Sequence, residues 1–178
     1  SLALEILKSA NVIIENNRPG VMQRLGLGEE DVKKINNKIV YTSVSGFGQT
    51  GELKNRAGIN LIIEALSGTL SVMGEKGEIP PRPGLQTADI LGAMFATYST
   101  LAGLIGQIQH NQGMHADVAL IEASIASAVW ETTEYLSSGI VPEQLGHSHR
   151  ASAPYQLFKT NDKRYIAIGA PSDAHFKR

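Results

Sequence analysis

Short apolar runs alternate along this chain with longer segments whose apolar residues recur at the helical period. The short runs are the predicted strands, at residues 12–15, 39–44 and 116–120. The periodic segments are the predicted helices, at residues 1–8, 21–25, 29–34, 59–66, 88–108 and 121–139. Strands that alternate with helices predict βαβ units, and hence an α/β protein with an open, mainly parallel sheet and flanking helices.

Two of the predicted helices are expected to be buried, one along a single face and one along its length. The helix at residues 121–139 is predicted to bury one face, made of Ile121, Ile125, Ala128 and Val129. The stretch at residues 90–108 has no charged side chain and barely reaches the ~20 residues that a membrane span needs. Because it also contains Thr, Ser, Gln and three Gly residues, we interpret it as a buried helix of a soluble protein, with no membrane partner.

The chain divides into two parts at a polar segment. Residues 143–154 are polar and irregular and are predicted to be a linker. The apolar runs at 155–158 and 165–168 flank Asn161 and Asp162, which predicts a hairpin. We therefore expect part of a large domain at residues 1–142 and the start of a small second domain at 155–178. The helix at the start has no cap before it, so we expect this chain to begin inside a larger fold.

Composition excludes several classes of function. The chain has 178 residues and no Cys, which excludes disulfides, zinc–thiolate sites, iron–sulfur clusters and cysteine nucleophiles. A formal net charge of -1 and 6% aromatic residues argue against nucleic acid as a partner. We expect a soluble protein of the cytoplasm, with the mitochondria as the alternative compartment.

A glycine-rich loop follows the second predicted strand. Residues 46–51 match the pattern G-x-G-x-x-G, with Gly46 and Gly48 as its first two glycines. A dinucleotide site also requires a helix directly after the glycines, and residues 52–58 show no helical period. We therefore interpret the glycines as positions where the backbone turns sharply or approaches a ligand closely.

A turn rich in amides and arginines follows the first predicted strand. It contains Asn16, Asn17 and Arg18, with Arg24 one helical turn later. Ligands of parallel sheets bind at the carboxyl ends of the strands, and Arg side chains suit a phosphorylated, nucleotide-like ligand. A solvated turn with surface arginines fits the same pattern equally well.

Asp89 lies in the first turn of an otherwise apolar predicted helix. The helix dipole favours the ionised carboxylate at that position, so a partly buried Asp89 could act as a nucleophile. An ordinary acid that caps the helix is the alternative, and the pattern alone favours it.

His147 and His149 have ligand-type side chains at strand spacing, but no carboxylate cluster accompanies them. We predict no metal site.

Several short motifs follow one another along the chain, at residues 15–20, 45–51, 82–84, 88–89, 117–118 and 154–155. In this order they resemble the motifs of the class III CoA-transferases, the CaiB/BaiF family that includes formyl-CoA transferase. The chain resembles the middle of these longer proteins along almost its whole length. The resemblance implies a Rossmann-like large domain, an interlocked homodimer, and an acyl-CoA and a carboxylic acid as substrates, without a further cofactor.

The resemblance also implies roles for individual residues. Asp89 falls on the catalytic aspartate, whose carboxylate attacks the thioester to give a mixed anhydride and then an aspartyl-CoA thioester. Asn16 and Arg24 match positions that contact CoA. The assignment requires a carboxylate that is sheltered from bulk solvent, because a carboxylate is a weak nucleophile unless it is ionised, desolvated and aimed.

The sequence departs from related patterns at three positions. Asn17 stands where the family usually has Phe, which would stack on adenine. Ile59 and Asn60 stand where the related racemases have a catalytic His and an Asp. Ile cannot transfer a proton, so the sequence disfavours a racemase. Residues 154–160 are most similar to the succinyl-CoA:glutarate CoA-transferase branch. The alternatives are an isomerase or dehydratase of acyl-CoA on the same fold, and a piece of scaffold without catalytic activity.

Overall fold

The computed structural model describes residues 2–177. A turn of 3-10 helix at Leu70–Val72, which the sequence pattern did not predict, precedes the longest helix. The helices and strands follow one another in this order: α1 Leu2–Leu7, β1 Val12–Glu15, α2 Val21–Arg24, α3 Glu29–Ile35, β2 Val40–Ser45, α4 Asn60–Leu66, α5 Thr87–His110, β3 Met114–Ala119, α6 Leu120–Ser127, α7 Val129–Ser138, β4 Tyr155–Lys159, β5 Tyr165–Gly169 and α8 Asp173–Phe176.

Three parallel strands form the central sheet, in the order β1-β2-β3. Val40 of β2 pairs with Val12 of β1 on one side and with Met114 of β3 on the other. All six residues of β2 are buried, as expected of the middle strand of a parallel sheet that is covered on both faces. The predicted α/β class with a parallel sheet and flanking helices is confirmed.

Helices cover the two faces of this sheet. Side chains alternate between the faces along a strand, so Val44 and Tyr41 of β2 point to opposite sides. One cluster of buried residues contains Val44, with Ile63 of α4, Ala96 of α5 and residues of β3 and α6. The other cluster contains Tyr41, with residues of α1 and α3. The sheet is therefore the middle of three layers.

Helix α5 lies against the sheet through its small residues. Its buried residues are Ala88, Gly92, Ala96, Thr100 and Gly103. A Cβ atom on Gly92 would be 2.0 Å from Leu120 Cδ2, and one on Gly103 would be 2.7 Å from Val40 Cγ1. The glycines therefore allow a close approach, and Ala at either position would require Leu120 or Val40 to shift.

The large apolar residues of α5 are on its other side and are exposed. They are Ile90, Met94, Phe95, Tyr98, Leu101, Ile105 and Ile108. The prediction of a wholly buried helix was therefore wrong for this chain, in which only one face is covered. By length and composition α5 could also cross a membrane, and the absence of a membrane partner stays a prediction.

The segment predicted as one helix at residues 121–139 is two helices. Ala128, with φ -83° and ψ 54°, leaves the helical region and separates α6 from α7. The predicted apolar face was wrong at Ile125 and Val129, which are exposed, whereas Ile121 packs against the first core cluster. The buried side chains of α6 are instead Leu120, Ala123 and Ser124, which reach the sheet because α6 begins directly after β3.

The predicted hairpin is present near the end of the chain. Strands β4 and β5 are antiparallel, with Tyr155 opposite Gly169. In the preceding segment, Arg150 forms ion pairs with Glu131 and Glu134 of α7, the second at 2.8 Å. The division into domains at 1–142, 143–154 and 155–178 stays a prediction.

Candidate active site

The amide- and arginine-rich turn and the glycine loop follow adjacent parallel strands. Asn16 comes directly after β1, and Gly46 comes directly after β2. The Asn16 side-chain amide donates a hydrogen bond to the Val44 carbonyl oxygen at 2.8 Å. The two segments therefore meet at the carboxyl edge of the sheet, where open parallel sheets bind ligands.

The glycine loop depends on glycine at specific positions. A Cβ on Gly46 would be 2.8 Å from the Cα of Gly58, so only glycine fits there. Gly48 has φ +86°, and a Cβ on it would be 3.4 Å from Asp117 Oδ2. The same carboxylate oxygen accepts the Gln49 backbone N–H at 2.8 Å. No helix follows the glycines until α4 begins at Asn60, which is not the arrangement of a dinucleotide site.

A cleft of about 380 Å³ lies between the two segments. It is lined by Pro19, Gly20, Gln23, Arg24, Gln49, Lys54 and Asn55. This lining brings Arg24 together with the glycine loop, but it includes neither Asn16, Asn17, Arg18, Gly46 nor Gly48. The cleft thus lies between the two predicted segments. Of the predicted residues only Arg24 lines it, and the others lie on the same segments outside the lining.

The polar groups of the cleft have few partners of their own. Within residues 2–177, neither Arg24 nor Lys54 is in an ion pair. The side-chain nitrogen of Gln49, Nε2, is buried and has no acceptor in that range. Two unpaired cations and a spare donor suit a ligand with phosphate groups. Sequence analysis missed Lys54 and Gln49, although both belong to the polar segment that continues the glycine loop.

The remaining residues of the turn after β1 are exposed. The Asn17 backbone N–H donates to Glu15 Oε2 at 2.8 Å, and its side-chain amide lies 3.5 Å from Met22 Sδ. Arg18 is exposed and forms no ion pair with any described residue. Asn17 and Arg18 are therefore available to a ligand at the same edge of the sheet.

Asp89 occupies the first turn of α5, as predicted, and α4 holds its backbone. The Asp89 backbone N–H donates to Asn60 Oδ1 at 3.2 Å. One turn further along α4, Glu64 Oε1 accepts the Thr87 backbone N–H at 3.1 Å and also the Thr87 hydroxyl. Side chains of α4 thus take up donors that the start of any helix leaves free. Sequence analysis did not single out Glu64, because an acid within a helix gives no sign of its burial.

The Asp89 carboxylate itself is exposed and forms no hydrogen bond or ion pair with residues 2–177. The predicted shelter was therefore wrong for this chain. The physical reason is that α4 contacts the backbone of the first turn and not the side of the turn that carries the carboxylate. An Asp89 nucleophile would need shelter from atoms outside the described residues.

The histidines do not assemble a metal site. Within the described part of the chain, no three His, Cys, Asp or Glu side chains are grouped so that they could hold a metal ion. The His149 ring lies between those of Trp130 and Tyr155, with centroids 5.9 and 4.7 Å away. His147 lies 3.8 Å from Glu75. The expectation of no cofactor stays a prediction.

On the opposite face of the sheet, Tyr41 is held in the second core cluster. Its hydroxyl donates to the Leu27 carbonyl oxygen at 2.9 Å, and its ring contacts His115 edge-on at 5.4 Å. Burial, with smaller contributions from the negative charges of Glu15 and Glu29, raises the pKa of the Tyr41 phenol to about 12. This phenol therefore stays neutral and structural at physiological pH.

Comparison with known proteins gives one consistent family. The chain matches CoA-transferase family III over residues 1–178. It is 37% identical over 175 residues to an acyl-CoA transferase of Fusarium pseudograminearum, covering 98% of this chain and 38% of that protein. It is 34% identical over 172 residues to the succinyl-CoA:glutarate CoA-transferase of Mus musculus, covering 97% of this chain and 39% of that protein.

A solved structure shows the same arrangement of the backbone. The crystal structure of a CAIB/BAIF family protein from Brucella suis superimposes with a TM-score of 0.88 at 31% sequence identity. The match covers 98% of this chain and 46% of that one. The chain thus spans less than half the length of these relatives.

Proposed function

Because the chain belongs to CoA-transferase family III, as its motifs predict, we propose that its protein moves CoA from an acyl-CoA to a free carboxylic acid, with Asp89 as the nucleophile. The observation that carries this proposal is the first turn of α5. There the Asp89 backbone is held by Asn60, while its carboxylate has no partner among residues 2–177. The carboxylate is thus unengaged on a fixed backbone, and a bound acyl-CoA would supply the shelter that a carboxylate needs in order to attack a thioester carbonyl.

The reaction follows in balanced steps. An Asp89 oxygen attacks the thioester carbon, the carbon–sulfur bond breaks, and CoA leaves as a thiolate. The thiolate attacks the aspartyl carbonyl of the mixed anhydride, which releases the donor acid and leaves an aspartyl-CoA thioester. The acceptor carboxylate attacks this thioester and again expels the thiolate. The thiolate then attacks the acceptor carbonyl, so that the new acyl-CoA leaves and the Asp89 carboxylate is regenerated.

The cleft at the carboxyl edge of the sheet supports a role in holding CoA. Arg24 and Lys54 place two cations in its lining, which suits the phosphates of CoA. Asn16, Asn17, Arg18, Gly46 and Gly48 lie on the two segments that border the cleft, and we assign them to the same ligand. Adenine does not stack on residue 17 in this proposal, because Asn has no aromatic ring.

The acceptor is proposed to be a dicarboxylate. Two similar proteins, from mouse and from Agrobacterium fabrum, are named for succinate and glutarate, at 34% and 32% identity. A further one, from Acetobacter aceti, is named for oxalate, at 33% identity. All of these acids carry a second carboxylate, which requires a cation or several donors in the protein.

We further propose an interlocked homodimer. The exposed apolar residues of α5 and those of α7, Trp130 and Leu136 among them, are the surfaces that a second copy or the rest of the protein would cover. The cytoplasmic location, with mitochondria as the alternative, and the absence of a nucleic-acid partner stay predictions.

The test traps the intermediate in the full-length protein that carries this chain. The protein is incubated with succinyl-CoA and hydroxylamine, and the peptide with Asp89 is examined by mass spectrometry. We expect a hydroxamate on Asp89 that is absent from Asp89→Asn and unchanged in Asp31→Asn, an acid in the first turn of α3.

A clean Asp89 peptide overturns the proposal. If the α-proton of the acyl group then exchanges in deuterated water, the protein is an isomerase of acyl-CoA. If there is neither exchange nor binding of CoA, the fold serves as a scaffold without catalysis.

A further inference from the structure

A carboxylate is buried below the first turn of α5. The Glu64 residue is 1% exposed, and within residues 2–177 no cation lies within ion-pair distance of it. Its Oε2 atom is shielded from solvent and has no partner in that range. Burying a carboxylate without compensation is costly, so the burial of Glu64 requires a specific stabilising contact.

That contact is the amino end of α5. Glu64 Oε1 accepts both the backbone N–H and the hydroxyl of Thr87, the first residue of this 24-residue helix. The helix dipole also favours an acceptor at this end. Hydrogen bonds from uncharged donors to a carboxylate are stronger than those between neutral groups. Both of the hydrogen bonds found for the Glu64 side chain therefore come from the helix that carries Asp89.

Glu64 and Asn60 act on the same turn from the same face of α4. They are four residues apart in a helix, so their side chains are neighbours. Asn60 accepts the backbone N–H of Asp89, and Glu64 accepts that of Thr87. Two backbone groups of the first turn are thus fixed to one neighbouring helix, which holds the backbone from which the Asp89 side chain extends.

We propose that Glu64 is a positioning residue for the Asp89 nucleophile. This inference rests on the proposed function, since it assigns a role in bringing Asp89 to a thioester. Catalytic groups must be held within about 0.5 Å of a productive position, and a misplacement of about 1 Å can lower the rate ~100-fold. Glu64 supplies this accuracy through Thr87 without touching the substrate.

The test uses three substitutions in the full-length protein. Glu64→Leu removes the acceptor, Glu64→Gln keeps an acceptor oxygen of the same shape, and Thr87→Val removes the hydroxyl donor. We expect Glu64→Leu to lower kcat about 100-fold, with KM for the acyl-CoA changed less than about threefold, because the nucleophile is displaced but the CoA cleft is not. Glu64→Gln should stay within about threefold of the unsubstituted protein, and Thr87→Val should fall between the two.

A matched control separates positioning from stability. Thr100→Val removes a buried hydrogen bond between the hydroxyls of Thr100 and Thr42, whose oxygens are 2.8 Å apart, at a position in the same helix but far from its first turn. We expect this variant to be less stable with kcat unchanged. The rate at which hydroxylamine traps Asp89 should fall in Glu64→Leu and not in Thr100→Val.

The outcomes distinguish the two proposals. If the unsubstituted protein gives no hydroxamate on Asp89, the proposed function fails. If it gives one, and Glu64→Leu and Thr87→Val are trapped and turn over at the unsubstituted rate, the role of Glu64 fails alone. Where Glu64→Leu does not fold, Thr87→Val decides, and an unchanged kcat in that variant overturns the inference.

Discussion

The cleft beside Arg24 and the first turn of α5 differ in which of their groups lack partners. In the cleft the backbone is anchored, as at Gln49, while the cations and the Gln49 side-chain nitrogen have no partner within residues 2–177. In the first turn of α5 the backbone donors are taken by Asn60 and Glu64, and a single carboxylate, that of Asp89, is unengaged. Several polar groups without partners suit the binding of a large charged ligand, whereas a single unengaged group on a fixed backbone suits a reaction. Mutations in the cleft should therefore change the affinity for CoA, and mutations in the first turn of α5 should change kcat.

The largest effect should follow Asp89→Asn. The amide cannot attack a thioester, so we expect turnover to fall by a factor on the order of 1,000 or more, equivalent to about 4 kcal/mol. The affinity for CoA should change less than about threefold, because Asp89 does not line the cleft. Turnover assays and calorimetric titration with CoA measure the two effects separately. A large loss of CoA affinity in this variant would break the comparison.

The next effect should follow Gly46→Ala in the glycine loop. The added Cβ would be 2.8 Å from the backbone of Gly58, which cannot move aside as a flexible side chain could. We expect a loss of about 2 kcal/mol in the free energy of unfolding, measured with denaturant. Gly106→Ala is the control, because a Cβ there meets nothing within 4 Å. That variant should be more stable by about 0.5 kcal/mol, since Ala suits a helix better than Gly.

Smaller effects should follow the removal of one cation from the cleft. Arg24→Gln and Lys54→Gln are each expected to weaken CoA binding about tenfold, or ~1.4 kcal/mol, and to leave kcat at saturating substrate within about twofold. Lys38→Gln is the control, because Lys38 precedes β2 and so lies at the opposite edge of the sheet. A fall in kcat without a change in CoA affinity would show that the cleft does not act as the binding region.

The smallest effect should follow Tyr41→Phe, on the face of the sheet that contributes to neither region. Loss of the hydrogen bond to Leu27 should cost about 1 kcal/mol in the free energy of unfolding and leave kcat and CoA affinity unchanged. The pKa of Tyr41 is about 12 in the folded state against 10.0 for an ordinary phenol. The neutral form is thus favoured by folding, so its contribution is complete below pH 10 and is lost as the pH rises from 10 to about 12. Unfolding measured across this range should show a steeper alkaline loss in the unsubstituted protein than in Tyr41→Phe.

The parts that sequence alone could predict are those that depend on local pattern. The three strands follow from the short-range period of apolar residues. Asp89 in the first turn of α5 follows from the same rules. Asn16 and Gly46 lie close together at the carboxyl edge of the sheet because the strands that precede them, β1 and β2, are neighbours.

The parts that sequence could not predict depend on contacts between distant segments. Glu64 is buried only because the start of α5, 23 residues later, supplies its donors. Lys54 joins the cleft only because its loop folds back towards Arg24. No Gly or Pro marks the break at Ala128 between α6 and α7, and the exposure of Asp89 depends on which side of α5 is covered.

The glycines on the inner side of α5 have a consequence for mutations remote from the reacting group. A side chain added at Gly103 would meet Val40 and push that half of the helix away from the strands. A helix of this length moves as a stiff rod, so the disturbance would be transmitted as a tilt to Asp89, about 21 Å away along the axis. A larger residue at Gly103 would thus lower the rate of the reaction by tilting the helix, although no residue near Asp89 had been changed.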